Sequence, residues 1–409
     1  MTDDITSILL PASRIDVFAL DDGTAKTAED LSQDWRFARV EVDIIRNGIE
    51  AAVERYGQVP SPELIIIETN DISENFTAQL GALAEVCAEG TDAVIIGPTN
   101  DVHLYRSLVG MGVRDYLVRP ISAEEITGVI AKALVEKRGL DGSRLVAVAG
   151  SKGGVGTTIV TQMLAWRVSD TLKQKTLLLD MAGSAGSLGV GCGLEPSTTL
   201  AEAVRVGQSG TDDDLKRLVQ HMTDNLDVMV FGGDPLLGDR PDADSAEAFL
   251  DRVMKKYPVV VVDLSAAAPA IQKRVLARAA QVVVVSTPHI TALRNCRTLL
   301  NEMKHLRNDL KNVALVMNKQ GMPAADEVPL ADIKKVLDLE PSASLPYAPK
   351  IIMGSETAGK PVGENKSAQD MMKALNTVAE RAAGIFLHAD AKGKKDGGFS
   401  LLRALGKGK

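Results

Sequence analysis

Short apolar runs that suit strands alternate along the chain with longer stretches of helical spacing, and they fall into two groups. The first group has strand-like runs at 15–20, 38–45, 64–67, 94–96 and 116–118; the second has them at 145–149, 176–179, 226–231, 259–262, 282–286 and 313–317. Runs such as Val259-Val260-Val261-Val262 are apolar at successive positions, so both faces of the strand must be covered, as in a parallel sheet between helices. The expected class is α/β: a βα domain over 1–138, a linker at 139–143 where charge and glycine break both periodicities, and a larger doubly wound domain over 144–386. A flexible basic tail is expected over 387–409. It carries Lys392, Lys394, Lys395, Arg403, Lys407 and Lys409, with Phe399, Leu402 and Leu405 along one helical side. That tail reads either as a solvated segment or as a weak peripheral contact with membrane or partner.

Composition narrows the partners. At 409 residues and 45% hydrophobic content the chain can bury two or more cores. Its net charge of −8 gives no general attraction to nucleic acid, and 3% aromatic residues disfavour base stacking, so no nucleic-acid partner is expected. Cys87, Cys192 and Cys296 form no C-x-x-C pair, the first residues are polar, and no apolar run reaches the roughly 18 to 20 residues of a membrane span. The expected location is cytoplasmic.

The chemistry concentrates at Gly150-Ser151-Lys152-Gly153-Gly154-Val155-Gly156-Thr157-Thr158, between a strand-like run and a helical one. Glycines at 153, 154 and 156 let backbone N–H groups turn inward around phosphate oxygens, the following helix adds its partial positive end, and the Thr158 hydroxyl is placed for Mg²⁺. The pattern G-x-x-x-x-G-K-[ST] has lysine where this chain has Thr157. Asp180 and Asp263 each follow four apolar residues, where a carboxylate can sit beside Mg²⁺ or its water; a strand-ending turn is the plainer alternative for either alone.

Lys152, just ahead of the glycine pair, resembles the signature lysine of the deviant Walker A motif in the MinD/ParA superfamily. Thr287-Pro288, Asn318-Lys319 and Leu345-Pro346-Tyr347 followed by 355–362 resemble, in order, the remaining segments of those ATPases, so the resemblance spans 144–385. It implies a P-loop NTPase fold, ATP or ADP with Mg²⁺ as cofactors, and a homodimer in which Lys152 crosses to the partner's nucleotide. Lys152, Gly153, Gly154, Val155, Gly156, Thr157 and Thr158 would line the phosphates, with Asn318 and Pro346 at the adenine. Thr158, Asp180 and Asp263 would stand at the metal. Two departures bear on turnover. Relatives that hydrolyse ATP carry Asp-x-Asp after the second strand, where this chain has Asp180-Met181-Ala182, and Thr157 removes the loop cation. Slow or absent hydrolysis is expected and no residue is assigned as catalytic. Binding survives, because one lost charge-assisted hydrogen bond weakens it by roughly 10- to 150-fold.

In the first domain, 93–97 and 105–120, ending Gly112-Val113-Arg114-Asp115-Tyr116-Leu117-Val118-Arg119-Pro120, resemble the last third of a response-regulator receiver domain, which implies a flavodoxin-like fold. A working receiver has an acceptor Asp, two Mg²⁺-binding acids and a lysine; the matching places here hold Glu68, Asp21-Asp22 and Arg119. The resemblance thus implies a receiver-like domain without phosphotransfer, used for docking or dimerisation.

A receiver-like domain joined to a MinD/ARA-type domain with a lysine-deficient loop is the arrangement of the CpaE/TadZ pilus-assembly family, which this chain resembles over most of its length. That resemblance implies a dimerising localisation factor for the tight-adherence (Flp) type IV pilus secretion machine, at the inner-membrane face or cell pole. The pilus secretion ATPase and inner-membrane pilus assembly proteins would be its partners. The alternative is an active ParA/MinD-type ATPase that positions cargo by a hydrolysis-driven dimer cycle.

Overall fold

The computed structural model describes residues 10–11, 13–137, 143–234, 241–323 and 326–384. The basic tail and most of the linker lie outside the described residues. Five strands form the first sheet: β1 Ser13–Ala19, β2 Val40–Arg46, β3 Leu64–Glu68, β4 Asp92–Gly97 and β5 Asp115–Val118. They are parallel in the order β2-β1-β3-β4-β5, the flavodoxin-like order of a doubly wound sheet. Eight strands form the second: β6 Arg144–Gly150, β7 Thr176–Asp180, β8 Gln220–Thr223, β9 Leu226–Met229, β10 Val259–Asp263, β11 Gln281–Ser286, β12 Val313–Gln320 and β13 Pro341–Pro346. Their order is β13-β12-β11-β6-β10-β7-β9-β8, with only β8 antiparallel to its neighbour.

Strand parity explains why the second sheet is apolar throughout. Leu145, Ala147, Val260, Val262, Val282 and Val284 enter one core, while Val146, Val148, Val259, Val261, Val283 and Val285 enter another on the opposite face. Successive side chains point to opposite faces, and helices cover both. The helix Thr157–Trp166 and the pair Gln369–Ala374 and Asn376–Ala383 close the second face, with Val160, Met163, Met372 and Val378 buried there. Helices Leu200–Ser209, Ala243–Met254 and Ile290–Arg307 close the first, through Ala203, Phe249, Val253, Leu300 and Met303. The smaller sheet repeats the scheme, with Ile15, Val17 and Ile66 on one side and Phe18, Ile65 and Ile67 on the other.

Two strands escaped the sequence pattern, and both lie at edges. β8 is the polar tetrapeptide Gln-His-Met-Thr, half-exposed beside β9, so burial leaves no apolar mark on it. β13 begins and ends in proline, which removes ladder donors and is tolerated only at an edge. β12 also runs to Gln320, past the expected end at 317, with register shifts against β13.

A buried ionic cluster joins elements of the two halves of the chain. Glu247, 4% exposed, accepts from Arg39 just before β2, from Arg278 Nη1 at 3.1 Å and from Arg274 Nη1 at 3.3 Å. Arg278 also pairs with Asp251, and Arg274 Nη2 with Asp244 at 2.7 Å.

Candidate functional site

β6 has β10 on one side and β11 on the other, and the chain leaves it in both directions across the sheet. That is the switch point at which open α/β sheets place a crevice outside the strand carboxyl ends. The glycine loop lies there. Ser151 extends the pairing, its amide donating to Val285 O at 2.8 Å and its hydroxyl to Ser286 Oγ at 3.0 Å. Gly156 caps the helix Thr157–Trp166 in the left-handed conformation, φ +91°, with no side chain capping the helix amides. Those amides are left to face an incoming anion. A Cβ at Gly156 would also run into the Asn318 amide, so both backbone angle and space require glycine.

Lys152 stands exposed on the loop, its Nζ donating to Gly153 O at 2.9 Å. Val155 is buried and its carbonyl accepts from Asn318 Nδ2 at 2.8 Å. Asn318, buried at the end of β12, therefore braces the loop itself. Thr157 is 5% exposed, and its hydroxyl packs so closely on Gly150 that a Cβ there would overlap it. The side chain at the lysine position thus turns into the loop and offers no charge to a phosphate. Pro346 is exposed at the carboxyl end of β13, level with Gln320 of β12.

Asp180 and Asp263 are register partners at the ends of β7 and β10, 1% and 0% exposed. Asp180 Oδ1 accepts from the Ala182 amide at 2.8 Å, and Gly186 lies against its carboxylate with no room for a side chain. Burial, with the neighbouring Asp263 charge, pushes the Asp180 carboxyl up to about 7. Burial also raises Asp263, against the opposing effect of the nearby Thr158 and Ser265. Its Oδ1 accepts from the Ser265 amide at 2.9 Å, while Oδ2 is buried without a hydrogen-bond partner. The Thr158 hydroxyl, 3.2 Å from Ser265 Oγ, completes this corner. A buried carboxylate oxygen without a donor, beside a hydroxyl and a second acid, fits a divalent cation that keeps waters and takes its other ligands from phosphate. Among the described residues no group of three or more His, Cys, Asp and Glu gathers to hold a metal alone.

Residues 152–158, Asn318, Asp180 and Asp263 thus converge on one corner of the sheet. Three neighbours were not among the expected site residues: Ser265, Ser286 and Lys319. Lys319 Nζ donates to Gly154 O at 2.7 Å from outside the loop. The Asn318-Lys319 dipeptide at a strand end was its signal in the sequence.

The acids of the smaller sheet are arranged differently. Glu68, wholly buried at the end of β3, accepts from the Leu20 and Asp21 amides at 2.7 and 3.1 Å, from Thr24 Oγ1 at 3.0 Å and from Arg119 Nη1 at 3.1 Å. Asp21 caps the helix Asp22–Leu31 through the Thr24 amide, which holds its carboxyl below the usual range, and also meets Arg119. Asp22 points outward to Arg46.

A central strand, glycine loop and helix at the switch point of a mainly parallel sheet define the α/β P-loop NTPase fold of MinD and ParA. A family model described as an AAA domain matches residues 143–317. The septum site-determining protein MinD of Synechocystis is 22% identical over 245 residues, 59% of this chain and 90% of that protein. The ParA family ATPase of Chlorobium tepidum superposes with a TM-score of 0.53 at 19% identity, covering 58% of this chain and 98% of that one. The pilus assembly protein CpaE of Caulobacter crescentus is 34% identical, covering 31% of this chain and 95% of that one, with a TM-score of 0.30. Among the described residues no helix is long and apolar enough to cross a membrane.

Proposed function

We propose that the protein is a nucleotide-binding, dimerising scaffold that localises a tight-adherence (Flp) pilus secretion machine and hydrolyses ATP slowly or not at all. The observation that carries the reading is the imbalance of the site. The phosphate-facing amides, the Thr158 hydroxyl and two buried acids are in place, while position 157 turns a neutral hydroxyl inward and position 182 is alanine. The loop amides and helix end would hold ATP or ADP, and Thr158, Asp180 and Asp263 would hold Mg²⁺ directly or through water. Mg²⁺, when bound, neutralises phosphate charge; with no carboxylate at 182 to orient a water, the chain's own residues favour holding over cleaving. Lys152 stays exposed on the loop, free to reach a nucleotide on a second copy.

The pilus assignment rests on the CpaE/TadZ resemblance, and CpaE is also the printed name of the Caulobacter relative. On this reading the N-terminal unit is a receiver-like docking module and the partners are the pilus secretion ATPase and inner-membrane assembly proteins. The location would be the cytoplasmic face of the inner membrane, at a cell pole. The test compares nucleotide affinity, turnover and oligomeric state in the wild type, Lys152→Ala and Thr157→Lys. Binding without appreciable turnover, and loss of nucleotide-dependent dimer in Lys152→Ala, is expected. Steady-state hydrolysis near or above about one per second, abolished by Lys152→Ala, would replace the scaffold with a cycling ATPase.

A further inference from the structure

Lys319 brings a second ammonium to the glycine loop from a different strand. It sits where β12 slips its register against β13 between Met317 and Gln320, and its φ of +57° is left-handed, which a lysine adopts only where its surroundings impose it. The twist carries the side chain over the loop: Nζ donates to Gly154 O at 2.7 Å, and Cε passes 3.9 Å from where a Cβ of Gly156 would stand. Asn318, clamped on Val155 O, fixes the root of that side chain to the same loop. Lys152 folds onto Gly153 O, and Thr157 carries no charge.

We propose that Lys319 is the cation that meets the nucleotide phosphates within the same chain, taking over the electrostatic role of the loop lysine that Thr157 replaces. The inference rests on the nucleotide reading of the loop and names a residue for it. A lysine is a compact point charge on a four-carbon stem, so the same charge can be delivered from β12 as from the first turn of the helix. Its bond to the Gly154 carbonyl is exchanged for a charge-assisted bond to a phosphate oxygen. The residue binds; it moves no proton and forms no bond to the nucleotide.

The test measures binding of Mg·ATP, ADP and adenosine to the full-length protein by calorimetry. Lys319→Ala is expected to weaken ATP and ADP by roughly 10- to 150-fold and to leave adenosine unchanged. Adding Thr157→Lys to Lys319→Ala is expected to recover the affinity. Lys319→Gly suits the left-handed backbone, so it is expected to melt no lower than the wild type while losing phosphate affinity to the same extent. If the wild type binds ATP and both single variants at Lys319 bind it equally well, the proposal fails and the nucleotide reading stands. An equal loss for adenosine also overturns it, since the side chain would then only shape the loop. A wild type that binds none of the three removes the nucleotide reading itself, and this proposal with it.

Discussion

Asp180 and Asp263 end adjacent strands inside the protein without a cation between them, and burial keeps protons on such acids. For Asp180 the folded value is about 7 against an ordinary 3.8, so the folded chain holds more protons than the unfolded one across that interval. The sign follows: this contribution to stability is fully present below the ordinary carboxylate range and is lost as pH rises through about 7, at up to about 1.4 kcal/mol per pH unit. In chelator and without nucleotide, melting should fall between pH 6 and 8, and Asp180→Asn should flatten the fall and melt higher at pH 8. An unchanged slope in that variant would show that the carboxyl titrates normally. Both acids were legible as strand-end carboxylates, because a charge after four apolar residues is conspicuous. Lys319 was not, since its approach to Gly154 depends on a register slip in β12 that no spacing encodes.

At the scale of elements, β3 presents its terminal carboxylate to two amides, a hydroxyl and a guanidinium, so every face of Glu68 is engaged. A phosphodonor would have to displace Arg119 and strand a wholly buried group. Treating the full-length protein with acetyl phosphate and Mg²⁺ should therefore leave no acid-stable, base-labile phosphate on residue 68; a stoichiometric acyl-phosphate would restore the phosphorylation-controlled reading. The strands that build the site, β6, β7, β10, β11 and β12, could be read directly because burial on both faces leaves unbroken Val, Leu and Ala runs. β8 and β13 could not, since half-buried edge strands carry polar residues and proline instead. The bracing of the loop by Asn318 was likewise hidden: a side chain at the end of β12 meets Val155, far away in sequence, only once the sheet has formed.

Across the whole molecule, the two halves of the chain meet at Glu247, which three arginines approach. Arg39 comes from the N-terminal side, Arg274 and Arg278 from the helix Pro269–Arg278. Removing the one acid leaves those cations facing each other in a partly dry interface, so Glu247→Ala should cost about 3 to 5 kcal/mol in chemical denaturation. Arg39→Ala should cost less, because Arg274 and Arg278 keep their partner. A loss below about 1 kcal/mol in Glu247→Ala would mean that the cluster is solvated and does not tie the halves together. The sequence carried the division into two apolar groups but not this junction, whose charges lie on a loop before β2 and on two helices of the other half.

The strands at the margins of the larger sheet have a consequence for how copies of the protein can meet. β13 starts and ends in proline and β8 is only four residues long, so neither margin offers a continuous row of donors and acceptors to a neighbouring chain. Strand-by-strand polymerisation is thereby disfavoured at both sides, and encounters between copies are steered to the surface where the glycine loop opens, which favours closed pairs over open-ended fibres.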